Sequence, residues 1–184
     1  SGNFEKIRNL VFLLSAKLFS KSFFKIDGKI CSDFVYVPKN EGEKVIVAKA
    51  ILTVKGVHAL AAPEATKWAV DAKPAFIKSL GAVTLDGTSS QWQAAFDSPT
   101  KKKGYEVIVQ GDAVVSKKEV ASTVTGQDIP VDMKDSGDAV KMLQAMPQYA
   151  DVSIAAINFF YNVDAKEWRY GFSTSIGAAS VRLQ

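Results

Sequence analysis

The chain holds very little of the side-chain chemistry that most enzymes use. Its 184 residues include one cysteine, Cys31, and one histidine, His58. A single cysteine excludes an internal disulfide, so nothing requires an oxidising compartment. Cys and His alone leave a zinc site short of ligands. "KICSDF" around Cys31 carries no nucleophile motif. His58 lies in the apolar stretch "VKGVHALAAP", where a lone imidazole is expected to pack or hydrogen-bond rather than act as a base. The Walker lysine loop, G-x-G-x-x-G and G-x-S-x-G are all missing. The expectation is a protein that is not an enzyme and takes no cofactor.

Arginine is scarce too. Net charge is +4, but apart from Arg8, Arg169 and Arg182 the positive charge is lysine. That argues against an arginine-rich nucleic-acid arm, because the guanidinium supplies the forked donors that suit phosphate and base edges. Non-specific attraction to RNA remains open. Long apolar runs are lacking as well: in "NLVFLLSAKLFSKSFF", Lys17 and Lys21 interrupt the run before the ~20 residues that a spanning helix needs. That segment reads as core-forming sequence, with no membrane partner. Asn-x-Ser/Thr is absent, in keeping with a chain outside the secretory pathway.

What the chain does contain is strand signal. "KVIVAKAILTV", Lys44 to Val54, is a β-branched run expected to form one well-buried strand. "SSQWQAAF" alternates, with Trp92, Ala94 and Phe96 on one face and Gln91 and Gln93 on the other. "YEVIV" groups Tyr105, Val107 and Val109; "EWRYGF" groups Trp168, Tyr170 and Phe172 opposite Arg169 and Gly171; "KICSDFVYV" sets Phe34 and Tyr36 against Asp33, Val35 and Val37. Turn residues fall between these runs at "PKNEGE", "LDGTSS", "SPTKKKG", "VTGQDIP" and "NVDAKE". Short strands without a helix between each pair predict an all-β sandwich or barrel, in one domain over residues 1–184.

Two short helices are expected on it. From Ser136 to Met146, Ala139, Met142, Leu143 and Met146 fall at i, i+3, i+4 and i+7; Asp135 or Ser136 can cap, and Pro147 stops the run. "APEATKWAV", with Pro63 near a first turn, is the second, and residues 63–80 have a helical look. Asp128, Asp132, Asp135 and Asp138 crowd one segment, but the D-x-D-x-D-G calcium loop is missing, so turn and cap roles are expected of them. Lys101, Lys102 and Lys103, beside Tyr105, read as a solvated hairpin tip that could also contact phosphate.

The ends carry a different signal. Leu183-Gln184 at the back and Ser1-Gly2 at the front match what a 3C-like protease of positive-strand RNA viruses leaves on either side of its cuts. A glutamine-reading pocket that pairs both amide groups rejects analogues that leave its polar groups unpaired. A tag remnant would explain Ser1-Gly2 alone. Together the ends lead to the expectation of a mature piece of a viral polyprotein, with the viral protease as a partner during maturation and a tail lying beyond the last strand.

"LDGTSSQWQAAFDSPT" (Leu85 to Thr100) resembles an inner strand followed by a Ser-Pro loop, and "VSIAAINFFYNVDAKEWRYGF" (Val152 to Phe172) resembles the last long strand of capsid proteins of the picorna-like viruses. Among these, the cheravirus-like members of the secovirus family have subunits of similar length. The resemblance implies an antiparallel jelly roll whose Trp92, Phe96, Trp168 and Phe172 lie between two sheets. It also implies a structural subunit that packs with other capsid subunits into an icosahedral shell around the genome. Its place would be the virion, and the host cytoplasm before assembly; Lys101, Lys102, Lys103 and Arg169 are its candidate RNA or interface contacts. The alternative is a nonstructural replicase subunit that binds RNA: "SIGAASVRLQ" is similar to the tail of the single-strand-binding subunit of coronavirus-like polyproteins. That reading needs exposed aromatics beside basic residues, with Trp168, Tyr170, Phe172 and Arg169 as candidates.

Overall fold

The computed structural model describes residues 24–26, 29–40, 43–122 and 124–182, with side chains from residue 51 onward. Ser1, Gly2, Leu183, Gln184 and the 9–24 apolar stretch up to residue 23 lie outside the described residues, as does the side chain of Cys31. The chain is mostly β. Strands β1 (Phe24–Ile26), β2 (Lys29–Asn40) and β3 (Glu43–Ala50) form one antiparallel sheet. A second, seven-stranded antiparallel sheet contains β4 (Lys73–Ser79), β5 (Gln91–Ser98), β6 (Lys103–Gln110), β7 (Ala113–Ala121), β8 (Ile154–Asn162), β9 (Glu167–Thr174) and β10 (Gly177–Arg182). Its order, β10-β9-β8-β4-β5-β6-β7, is two meanders joined where β8 pairs with β4.

Helix α1 (Val54–Trp68) starts inside what the sequence predicts to be a strand. The strand ends at Ala50 and Thr53 caps the helix, its hydroxyl accepting from Gly56 N at 3.4 Å. The β-branched run misleads at its end because Val54 serves the helix: with Val57, Ala61 and Ala65 it forms a buried stripe. Pro63 therefore sits in the helix interior rather than its first turn. Its ring is exposed, and the buried stripe offsets the lost backbone hydrogen bond. The helical look of residues 63–80 fails after Trp68, because β4 follows. Pro74 is tolerated in this central strand because it stands next to a register shift at Ala75.

Helix α2 (Ser136–Gln144) follows expectation, capped by Asp135, with Asp138 completing a capping box and Ala139 and Leu143 buried. A 3-10 turn at Pro147–Tyr149 ends the segment. The stretch from Val152 to Phe172 is a hairpin, not one long strand: "NVDAKE" turns the chain between β8 and β9. Nor does the tail lie beyond the last strand. Gly177–Arg182 is β10, paired to β9 and burying Val181.

One face of the seven-stranded sheet packs against both helices. Trp92, Phe96, Ile77, Val107, Phe159, Tyr170 and Phe172 meet Val54, Val57, Val140 and Leu143 in one cluster. The four aromatics assigned to a space between two sheets thus fill the space between a sheet and two helices. Loop 84–89 closes the end of that core. Gly87, at φ +69, presses on the start of α2, where a Cβ would stand 2.4 Å from the Ser136 carbonyl carbon.

Candidate nucleic-acid interface

Among the described residues, no helix packs on the other face of this sheet. Alternation on each strand sets it out in rows, because residues paired across strands share a face. One row reads Arg182, Arg169, Phe160, Phe76, Ala95, Glu106, Lys118, from β10 to β7. The row beside it reads Ser180, Gly171, Asn158, Lys78, Gln93, Ile108, Ser116. Phe76 and Phe160 stand directly opposite each other on the two central strands, both half-buried. The Lys78 ammonium lies 5.4 Å from the Phe76 ring centroid. Phe160 leans over Gly171, where a Cβ would come within 3.2 Å of its ring. On the far side of Phe76, Ala95 and Gly104 leave a dent of about 70 Å³.

Charge on this face is partly compensated. Arg169 Nε is 2.6 Å from Glu167 Oε1, and Arg182 Nε reaches the same oxygen at 3.0 Å. Lys118 pairs with Glu106 at 2.9 Å. Lys78, Arg169, Arg182 and Lys118 thus face Glu106 and Glu167, which leaves a positive excess around the aromatic pair.

The residues singled out from the sequence do not gather here. Of the four candidate contacts only Arg169 lies on the open face. Lys101 and Lys102 lie in the exposed turn between β5 and β6, with Lys102 in the left-handed region at φ 53, and Lys103 opens β6. Lys101 sits 4.7 Å from the centroid of Trp68, which stacks on Tyr105 at 4.8 Å. Lys103 bonds Glu119, whose carboxylate also accepts from Trp68 Nε1 and is held below its ordinary pKa by those two donors. Lys101 and Lys103 therefore lie on the helix side of the sheet. Trp168, Tyr170 and Phe172 face the core, at 7%, 0% and 3% exposure, so none is open to stack on a base. Phe76 and Phe160 escaped sequence reading because each sits in a strand, "KPAFIKS" or "IAAINFFYN", whose alternation is blurred by a bulge or by adjacent aromatics.

The aspartates take turn and cap roles. Asp128 pairs with Lys73 at 2.7 Å, and Asp135 and Asp138 serve the helix cap. Among the described residues no group of three or more His, Cys, Asp or Glu could hold a metal, and no helix is long and apolar enough to cross a membrane. His58, on α1, is partly buried 6.5 Å from Phe96, and burial pushes its pKa below the ordinary value. Tyr170 is pushed up by burial and by Asp135 and Asp138, and donates to Lys134 O at 3.2 Å.

Comparison of the chain with protein-family models, with curated proteins and with solved structures found no match to any of them.

Proposed function

We propose that the face of the seven-stranded sheet opposite α1 and α2 is a platform for single-stranded RNA, in a nonstructural replicase subunit released from a viral polyprotein. The observation that carries this reading is the Phe76–Phe160 pair: two aromatic side chains opposite each other on the central strands, flanked by Lys78 and Arg169. A base offers a π-face whatever its identity, so such a pair binds without sequence preference while nearby cations follow the backbone. Each stacked base is worth about 1–3 kcal/mol. Phe76→Ala and Phe160→Ala should each weaken binding of a fluorescent single-stranded RNA, measured by anisotropy, by roughly 5- to 150-fold. Unchanged affinity in both variants would defeat the proposal.

The capsid reading puts the same face to another use. In a jelly roll, the finer form of the all-β class, the subunit flanks would pack around symmetry axes, and the face of Phe76 and Phe160 would be a contact with a neighbouring subunit. Closed shells of uniform size in electron micrographs of purified protein, with RNA affinity indifferent to Phe76 and Phe160, would favour it. The polyprotein origin common to both readings has its own test. Gln184→Ala in the parent chain should block release of the C-terminal neighbour.

A further inference from the structure

A cleft of about 400 Å³ opens at the end of the β8–β9 hairpin, beside the loop that contains Gln127 and Asp128. That volume is within the range of small-molecule sites. Arg182 belongs to the cleft and to the open face at once: it lines the cleft, and its register partner is Arg169 in the row of Phe160 and Phe76. From the β8 strand of Phe160 to the β10 strand of Arg182 is two strand spacings, about 10 Å.

The lining chemistry suits a nucleotide. Tyr161 offers an aromatic ring, held edge-on to Trp168 at 5.8 Å between centroids. Gln127 offers both an amide donor and an amide acceptor. The two carboxylates are already engaged, Asp128 by Lys73 at 2.7 Å and Glu167 by Arg169 and Arg182. None of the ion pairs among the described residues includes Lys166, which is exposed in the hairpin turn and also lines the cleft. Lys166 and Arg182 line the cleft against Asp128 and Glu167, and because those carboxylates are also held from outside it by Lys73 and Arg169, the two lining cations remain available to an anion. Its polar groups match a base, and its cations match a phosphate.

We propose that this cleft holds the end nucleotide of the strand that stacks on Phe160 and Phe76. Its base lies against Tyr161 and Gln127, and its phosphate is shared by Arg182 and Lys166. The inference rests on the RNA-platform reading, and the two are separable by experiment. Adenosine 5′-monophosphate serves as the probe, and the Trp168 indole N–H resonance as the readout, since Trp168 lines the cleft and donates to Asp128 O at 2.9 Å.

AMP should shift that resonance saturably, and adenosine should bind more weakly. Arg182→Gln and Lys166→Gln, both at exposed positions, should each weaken AMP by about tenfold, the usual scale for a charged hydrogen bond. Phe76→Ala should leave AMP affinity unchanged while weakening the longer RNA. A Trp168 resonance indifferent to AMP, or AMP affinity indifferent to both cation replacements, would overturn the cleft. AMP bound at the cleft alongside RNA affinity that ignores Phe76 and Phe160 would instead remove the stacking platform and leave the cleft a site for free nucleotide.

Discussion

Phe159 and Phe160 are neighbours on β8, and they meet entirely different surroundings. Phe159 is fully buried, 4.5 Å from the Trp168 ring and 4.8 Å from that of Tyr170, measured between centroids. Phe160 points to the other side of the sheet, only partly buried, with Gly171 beneath it and Phe76 across from it. The covered face is closed by two helices and by large buried side chains. The open face places two aromatics where no helix among the described residues shields them and sets cations beside them. Large aromatics on both faces of one sheet cannot all be explained by a single core, and this difference is what separates groups that hold the fold from groups free to bind.

The sharpest way to break the comparison is to remove a side chain from the covered face. Trp92 is 1% exposed, and its Nε1 donates to Leu52 O and Ser89 O, both at 3.0 Å. It therefore fills the core and ties down the lead-in to α1. Trp92→Ala should cost about 3–5 kcal/mol, the usual scale for truncating a buried aromatic. Much of the ~5–15 kcal/mol that a domain possesses would go with it. Little soluble protein, or a melting temperature lowered by about 6–20 °C, is the expected result. A near-normal melt would mean that this face does not carry the fold.

The second test acts at one carboxylate that serves two helices. Asp135 Oδ1 accepts from Ser136 N at 2.8 Å at the start of α2 and from Lys55 N at 3.0 Å at the start of α1. Ser136 Oγ takes the neighbouring donor, Val54 N, at 3.1 Å. Both helix N-termini, which otherwise present unpaired donors and a positive dipole end, are closed together. Asp135→Ala should cost about 1–2 kcal/mol, the upper range for a cap, with Asp135→Asn recovering part of it. Thermal melts of the two variants check this, and RNA affinity should not change in either.

That double cap shows where sequence reading stops. Asp135 as the cap of α2 was legible, because a cap and its helix are adjacent in the chain. Its bond to Lys55, eighty residues away, was not. Alternation in "SSQWQAAF" and "EWRYGF" gave correct faces for Trp92, Phe96, Trp168, Tyr170 and Phe172, since period two survives whatever covers the strand. It could not say whether the cover is a second sheet or helices. Strand β4 escaped because Pro74 and the bulge at Ala75 break its pattern, and the start of α1 escaped because Val54 and Val57 are β-branched. The open-face pair is a product of register alone: Phe76 and Phe160 are far apart in sequence and meet only because β8 pairs with β4.

A gentler probe uses acid. Glu64 on α1 is held by Lys117 of β7 and by Lys67, which lower its pKa from an ordinary 4.5 to about 2. Asp71 accepts from Ser98 Oγ at 2.7 Å and Thr100 N at 2.9 Å, which lower its pKa from 3.8 to about 2. Each stitches the helix side to a strand or turn. For a carboxylate depressed in the folded state, the stabilisation is complete above the unfolded pKa and is lost as pH falls through the folded one. Melting temperature should therefore drop between about pH 4.5 and 2, and Glu64→Gln with Asp71→Asn should flatten that limb. An unchanged slope in the double variant would assign acid sensitivity elsewhere.

The smallest expected effect on the fold falls on the cations, and it sharpens the comparison most finely. Lys78 lies on the open face beside Phe76, whereas Lys101 and Lys102 stand in the turn between β5 and β6, with Lys101 against Trp68 on the helix side. Replacing any of the three with Gln should change stability by no more than about 0.5 kcal/mol, as for other surface sites. Their effects on RNA should differ. Each single-strand phosphate neutralised contributes about 0.7 to the slope of log affinity against log salt. Lys78→Gln should lower that slope by roughly this amount, and Lys102→Gln should leave it alone. Anisotropy titrations over a range of salt concentrations decide between them. A slope that falls with Lys102 and ignores Lys78 would place the RNA at the turn and leave the open face without it.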